Sequence, residues 1–315
     1  MKTVILDAYT ANPGDLSWSA IDEISNLEIH ARTSPSQLIA RAQGAQALLT
    51  NKVIISAASI AQLPHLKYIG VLATGTDIID LKAAAAAGIT VSNIPAYSTA
   101  FVAQHTIALI LNIFNQVATH SQSAKNGAWA SCQDFSYTHG SLHELQGKTL
   151  GIIGLGLIGQ AVANIATALG MNVIALKSTR PAKDSTPRLE YNDFFSQSDI
   201  VSLHCPLSPK SKEIINSKSL SLMKATAVII NTGRGQLINE AELAESLNNK
   251  QIAAAGLDVL STEPPEADHP LLSAENCVLT PHIAWAAQEC RARLIQIAAD
   301  NLQAFIDGEI YNKVN

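Results

Sequence analysis

Three residues with reactive side chains each follow a short apolar run and sit in an unusual local setting. Arg234 lies between two glycines in Asn231-Thr-Gly-Arg-Gly235, Glu263 precedes Pro264 and Pro265, and His282 follows Pro281. Singly, each has an ordinary explanation: a solvated turn arginine, an exposed loop acid, a histidine satisfied within a core. Together they are the types that reduction of a 2-oxo acid requires. A cation binds the carboxylate and polarises the carbonyl, while an imidazolium donates a proton as hydride reaches C2. A neighbouring carboxylate favours the charged form of that imidazole.

A fourth feature offers a place for a hydride donor. Gly154-Leu-Gly156-Leu-Ile-Gly159 fits the spacing G-x-G-x-x-G. Its expected division of labour is a tight turn at Gly154, close approach to a pyrophosphate at Gly156, and helix–strand packing at Gly159. The motif is weak alone. Here it follows a predicted strand, Thr149–Ile153, opens a predicted helix, Gln160–Leu169, and leads to a second strand, Asn172–Leu176. The acid that would hold a ribose 2′-hydroxyl about 20 residues on is missing. No Asp or Glu occurs between Glu144 and Asp184, and the expected position holds Lys177, followed by Ser178, Thr179 and Arg180. Lys177 and Arg180 suit a 2′-phosphate, so NADP(H) is expected over NAD(H), the alternative being that both are surface charges on a loop.

These residues need a scaffold that brings strand ends together. Five strands are predicted early, at Thr3–Asp7, Leu27–Ala31, Ala45–Thr50, Lys67–Leu72 and Ile89–Val91. Six follow, at Thr149–Ile153, Asn172–Leu176, Ile200–His204, Ala227–Asn231, Ala254–Asp258 and Val278–Thr280. Helical patterns separate them. Leu81–Ala87 ends at Gly88, and Asn239-Glu-Ala-Glu242 resembles a capping box opening a helix to Asn248. Such alternation predicts an α/β protein of two Rossmann-like, doubly wound parallel-sheet domains, with the active site in a cleft between them. In open sheets of this kind ligands lie outside the carboxyl ends of the strands, where Arg234, Glu263 and His282 all fall.

Composition limits the alternatives. The chain has 315 residues, 47% hydrophobic and 15% charged, enough for two buried cores and unlike a disordered chain. A net charge of −5, with the 21 basic residues spread along the chain, leaves no footprint for nucleic acid. Cys132, Cys205, Cys277 and Cys290 are far apart, which fits a reducing, cytoplasmic setting, and no grouping of His, Cys, Asp and Glu has metal-ligand spacing. Met1–Asp7 reads as a strand rather than a signal peptide, since an acid falls at position 7. Residues 149–176 carry no charged side chain, and Thr99–Thr119 has only His105 as a titratable group. Glycines and polar residues punctuate the first stretch, so both read as buried α/β core rather than membrane spans. A long apolar helix is expected from Thr99 to His120, then an irregular stretch to Gly147 pinned by Trp129, Phe135 and Tyr137, with one long helix closing the chain from Trp285 to Gly308.

These motifs resemble the D-2-hydroxyacid dehydrogenase family over nearly the whole sequence. The matching segments include Ala73-Thr-Gly-Thr-Asp77, Ile94-Pro-Ala-Tyr-Ser-Thr99, the glycine loop, Leu203-His-Cys-Pro-Leu207, Asn231-Thr-Gly-Arg-Gly235, Gly256-Leu-Asp258 and Pro281-His282. His282-Ile-Ala-Trp285-Ala, with Leu260-Ser-Thr-Glu-Pro-Pro265, looks most like the glycerate dehydrogenase and hydroxypyruvate reductase branch. The resemblance implies Arg234 as substrate holder, His282 as acid/base and Glu263 as its orienting carboxylate. Thr74 and Gly75 would offer backbone amides to the substrate carboxylate. Asp258 would bond the nicotinamide carboxamide, Leu157 and Ile158 would cap the pyrophosphate, Pro206 would lie near the adenine, and Thr232 counts among the cofactor contacts. It also implies a discontinuous substrate-binding domain, 1–97 plus 285–315, around a dinucleotide-binding domain, 98–284. A homodimer through the helix after Thr99 would explain why that helix is apolar all round. His105 and His204 are expected to be packing residues. The function expected is NAD(P)-dependent reduction of hydroxypyruvate or glyoxylate. The rival from another class is a nucleotide-sensing, corepressor-like binding protein on the same fold. Among enzymes, formate dehydrogenases usually have Gln at the acid position, and a glycine-loop methyltransferase would need neither His282 nor Arg234.

Overall fold

The computed structural model describes residues 1–179 and 184–315. They form two compact units, Met1–Ser98 with Trp285–Asn315, and Thr99–Ala284.

The first unit is built on five parallel strands, β1 (Lys2–Ile5), β2 (Asn26–Ile29), β3 (Ala47–Thr50), β4 (Tyr68–Val71) and β5 (Thr90–Ser92), in the order β2-β1-β3-β4-β5. Every residue of β3 and β4 is buried, which is why those strands read as unbroken runs rather than alternating ones. The helix Leu81–Ala86 starts at Asp80, whose carboxylate accepts the Ala83 amide. The chain's last long helix, Gln288–Ile306, returns to this unit and begins three residues later than expected. It buries Leu294, Ile295, Ala298 and Leu302, sets Phe305 against Tyr68 with ring centres 4.9 Å apart, and clasps Asp15 through both terminal nitrogens of Arg291 at 2.7 Å.

The second unit carries seven parallel strands, β6 (Thr149–Ile153), β7 (Asn172–Leu176), β8 (Arg188–Leu189), β9 (Ile200–Leu203), β10 (Val228–Asn231), β11 (Ala254–Leu257) and β12 (Cys277–Leu279). Their order is β12-β11-β10-β9-β6-β7-β8. The winding reverses between β6 and β9, and a ligand is expected at the carboxyl ends of those two strands. The short edge strand β8 was not anticipated, because two residues carry no periodic signal.

Helix α1 (Thr99–Asn115) stops short of the expected His120. Gln116 adopts a left-handed conformation (φ 49°), and α2 (Val117–Lys125) leaves at a bend of 55°. No single described helix is long and apolar enough to cross a membrane; only this bent pair passes by length and composition. The apolar character of α1 has a cause within the unit. Ala103, Ile107, Ile110 and Phe114 pack in one cluster with Val162, Ala163 and Ala166 of α3 (Leu157–Ala168) and Ile230 of β10. The exposed stripe is Ala100, Gln104, Ala108 and Asn115, so α1 is one-sided rather than apolar all round. Trp129 and Phe135 do not pin the segment that follows by burial, being 58% and 91% exposed, but Trp129 Nε1 donates to the Phe135 carbonyl at 3.0 Å. Tyr137 does tie back, donating its hydroxyl to Ser123 Oγ at 3.0 Å. Helix α4 (Glu240–Asn248) begins at Asn239, whose side chain accepts the Glu242 amide. The reciprocal half of a capping box is absent there, since the Glu242 carboxylate instead accepts the Ser217 amide at 2.5 Å.

Candidate active site

The glycine loop leaves β6 and turns into α3. Gly154 has φ +98°, and a Cβ on it would stand 2.4 Å from the Cys205 amide nitrogen just past β9. A side chain here would push the loop off the adjacent strand end. A Cβ on Gly159 would meet the Gly154 carbonyl oxygen at 2.3 Å, so the helix can start this close to the loop only with glycine. Gly156 is different: nothing lies within 4 Å of where its Cβ would be. It is the N-cap of α3, offers no side chain to the first-turn amides, and is followed by the exposed Leu157 and half-buried Ile158. Open space over uncapped amides at the positive end of a twelve-residue helix suits a pyrophosphate, so the loop fits a dinucleotide.

On the far side of the switch point, Pro206 is exposed and its carbonyl accepts Ser211 Oγ at 2.7 Å. His204 bonds Ser202 Oγ through Nε2 at 2.8 Å, and burial pushes its imidazole down to about 4, which keeps it neutral. It is a packing residue. Lys177 does not stand alone. The β7–β8 register places Ala175 and Leu176 beside Arg188 and Leu189, and so Lys177 beside Glu190, to which its ammonium is paired. The acid missing from the sequence near β7 therefore arrives in space from β8. Arg180 lies outside the described residues.

The three reactive side chains come from loops that lock onto one another. His282 Nδ1 lies 2.6 Å from Glu263 Oε2. The other oxygen of Glu263 accepts the Leu260 amide, which orients the carboxylate. The Arg234 loop abuts this same segment, because a Cβ on Gly235 would sit 2.0–2.4 Å from Leu260 and Ser261 backbone atoms. Gln236 Nε2 donates to the Ser261 carbonyl at 3.0 Å, and Asn231 shapes the turn by bonding the Gly233 amide and the Arg234 carbonyl. Ser261 is held from behind: its amide donates to Glu240 Oε1 at 2.7 Å. His269 Nδ1 accepts the Leu271 amide, so its proton is on Nε2 and is donated to Glu240 Oε2 at 3.1 Å. The His282 and Glu263 side chains are 26% and 30% exposed, open enough to be reached.

His282 itself has φ 54°, a conformation uncommon for a residue with a Cβ, and its amide donates to the Asp258 carbonyl at 2.8 Å. The Asp258 carboxylate fastens the next two residues. Oδ1 accepts the Ile283 amide at 2.9 Å and Thr280 Oγ1 at 2.6 Å, and Oδ2 accepts the Ala284 amide at 2.8 Å. His105 Nε2 stands 3.4 Å from Oδ1. Burial raises the Asp258 pKa, but the bonds from His105, Thr280, Ala284 and Ile283 outweigh it and leave the group below the usual carboxylate range. Its side chain is fully enclosed, so the carboxylate expected to face a nicotinamide carboxamide is occupied in bracing the histidine turn. Thr232 bonds Thr106. Thr74 and Gly75 belong to the other unit, just past β4, where Thr74 Oγ1 donates to the Ile94 carbonyl and Asn93 Nδ2 to the Thr74 carbonyl. Sequence reasoning missed His105, Glu240 and His269 as parts of the site's support; only their side-chain contacts reveal them.

Residues 107–284 match the family model described as "D-isomer specific 2-hydroxyacid dehydrogenase, NAD binding domain". The chain is 43% identical to a hydroxypyruvate reductase of Blautia hydrogenotrophica, with all of both chains covered. It is 38% identical to a glycerate dehydrogenase of Methylorubrum extorquens over 91% of each. Among solved structures, an acyclic imino acid reductase (Bsp5) in complex with NADPH and D-Arg superposes with a TM-score of 0.88 at 31% identity, covering all of both chains. The chain belongs to the D-isomer specific 2-hydroxyacid dehydrogenase family of NAD(P)-dependent oxidoreductases.

Proposed function

We propose that the protein reduces small 2-oxo acids, hydroxypyruvate and glyoxylate foremost, with His282 as proton donor and Arg234 as the cation on the substrate. The observation that carries this reading is the 2.6 Å pair of His282 and Glu263, built on the loop that packs against Gly235 beside Arg234. Glu263 accepts a hydrogen bond from Nδ1–H, which fixes the ring and leaves Nε2–H of the imidazolium to deliver the proton that reaches the substrate oxygen. Arg234 draws electron density from the carbonyl as the alkoxide develops. The glycine loop would hold a reduced nicotinamide dinucleotide, which would supply the hydride when bound. Gly154, Gly156 and Gly159, with the first amides of α3, would hold its pyrophosphate, and Thr74 and Gly75 would offer amides to the substrate carboxylate. The names of the relatives support hydroxypyruvate as the first substrate to try. No observation favours the nucleotide-sensing alternative.

NADP(H) is the proposed cofactor. Lys177 stands where an acid would exclude a 2′-phosphate, although its pairing with Glu190 means a phosphate must compete for the ammonium. The protein is also proposed to pair with a second copy. Val117, Trp129, Phe135 and Leu142, all exposed on one chain segment, are the apolar residues a partner would cover. The test of the reaction is a panel of hydroxypyruvate, glyoxylate, pyruvate and longer 2-oxo acids, each with NADPH and NADH. Turnover should be highest with hydroxypyruvate or glyoxylate and NADPH; no turnover of any 2-oxo acid would refute the reading.

A further inference from the structure

Two consecutive residues of α1 reach two different strand ends of the site. His105 Nε2 lies 3.0 Å from Thr280 Oγ1, just past β12 and two residues before His282. Thr106 Oγ1 lies 3.0 Å from Thr232 Oγ1, just past β10 and two residues before Arg234. The direction of each bond follows from the protons. Thr280 gives its only hydroxyl proton to Asp258 Oδ1 at 2.6 Å, so it accepts from His105, whose ring must carry a proton on Nε2. Thr106 gives its proton to the Val102 carbonyl at 2.8 Å, so it accepts from Thr232. The helix can lie this close because β11, between those two strands, carries Gly256. A Cβ there would come within 3.2 Å of Leu109 and 3.3 Å of Ile113.

We propose that His105 and Thr106 are positioning residues that set the His282 turn and the Arg234 loop relative to each other. His105 acts through Thr280 and Asp258, which between them hold the amides of Ile283 and Ala284 and keep His282 in its left-handed conformation. Thr106 acts through Thr232 on the turn that presents the guanidinium. One rigid helix thus fixes the spacing of proton donor and carbonyl-polarising cation, where an error of about 1 Å costs roughly a hundredfold in rate. This inference rests on the proposed roles of His282 and Arg234.

The experiment compares His105→Met, which keeps bulk and removes the N–H, with His105→Gln, which returns a donor of similar reach. The measurements are kcat and KM for hydroxypyruvate with NADPH, NADPH affinity by fluorescence, and hydrogen exchange of residues 280–284. His105→Met should lower kcat by about 10–100-fold, leave NADPH affinity within about threefold, and speed exchange at the turn. His105→Gln should recover most of kcat. Thr106→Val should show the smaller loss, with KM for hydroxypyruvate rising more than kcat falls, since it acts on the substrate cation. Unchanged kcat in His105→Met would overturn the proposal, as would equal losses in Met and Gln variants or a loss that appears as weaker NADPH binding. His282→Ala separates the two levels. If it abolishes turnover while His105→Met leaves kcat unchanged, only the positioning role fails; if it leaves turnover intact, the catalytic reading fails first.

Discussion

Asp7 in the first unit and Asp258 in the second occupy comparable places and behave in opposite ways. Each lies just past the carboxyl end of a parallel strand, and each gathers backbone amides from a neighbouring loop. Asp7 takes those of Asn51, Lys52 and Val53 at 2.6–3.3 Å, and Asn51 in turn bonds the Leu72 carbonyl at the end of β4. Burial dominates there and raises the Asp7 pKa despite those amides and the Thr50 side chain. At Asp258 the two side-chain donors, His105 and Thr280, tip the balance the other way. At Asp7 three backbone amides and the Thr50 hydroxyl do not offset burial. At Asp258 one of the two side-chain donors, His105, comes from a separate helix, and the carboxylate so held braces the turn that carries the proposed proton donor.

That contrast can be broken by substitution. Asp258→Asn places an amide N–H against donors that need an acceptor, and turnover should fall about a hundredfold as the His282 turn loosens. Asp7→Asn faces the same conflict in the unit that does not carry the proposed proton donor, so kcat should stay within about threefold while the melting temperature drops. Steady-state kinetics beside thermal unfolding checks both, and equal kinetic losses would erase the distinction. At the cofactor end, Lys177→Asp should move the NADPH/NADH preference in kcat/KM toward NADH by about tenfold or more, an effect visible also in the dissociation constants. Glu190→Gln should move it toward NADPH by only a fewfold, because an exposed pair is weak. An unaltered ratio in both would make this pair a surface contact with no bearing on the cofactor.

The smallest effect is on acid stability, and its sign differs between the two carboxylates. Asp258, depressed in the fold, contributes stability fully present above the ordinary carboxylate pKa of about 3.9 and lost as pH falls through its folded value. Asp7, raised in the fold, favours the folded state when protonated, and that contribution is lost as pH rises through its folded value. Carbon-13 titration of the two carboxyls should place Asp7 above and Asp258 below the usual range; the reverse order would contradict the account of both.

Much of the architecture was legible because apolar runs and helical periods alternate along the chain, and parallel strands buried on both faces leave that signature. The reactive residues were legible because glycine and proline mark the strand ends where they sit. What escaped was whatever depends on a partner far along the chain. Glu190 cannot be matched to Lys177 without the two-residue strand β8, and His105 looks like a lone polar residue in a core helix until Thr280 and Asp258 are placed beside it. The break at Gln116 was hidden too, since neither glycine nor proline announces it. Trp129 and Phe135 misled for the opposite reason: large aromatics suggest burial, yet here they face outward.

The most direct test of the central claim is single-turnover reduction of hydroxypyruvate by His282→Ala with saturating NADPH. The account predicts a fall of about 10²–10⁴-fold in the chemical step with NADPH affinity nearly unchanged. A chemical step as fast as that of the parent protein would contradict it.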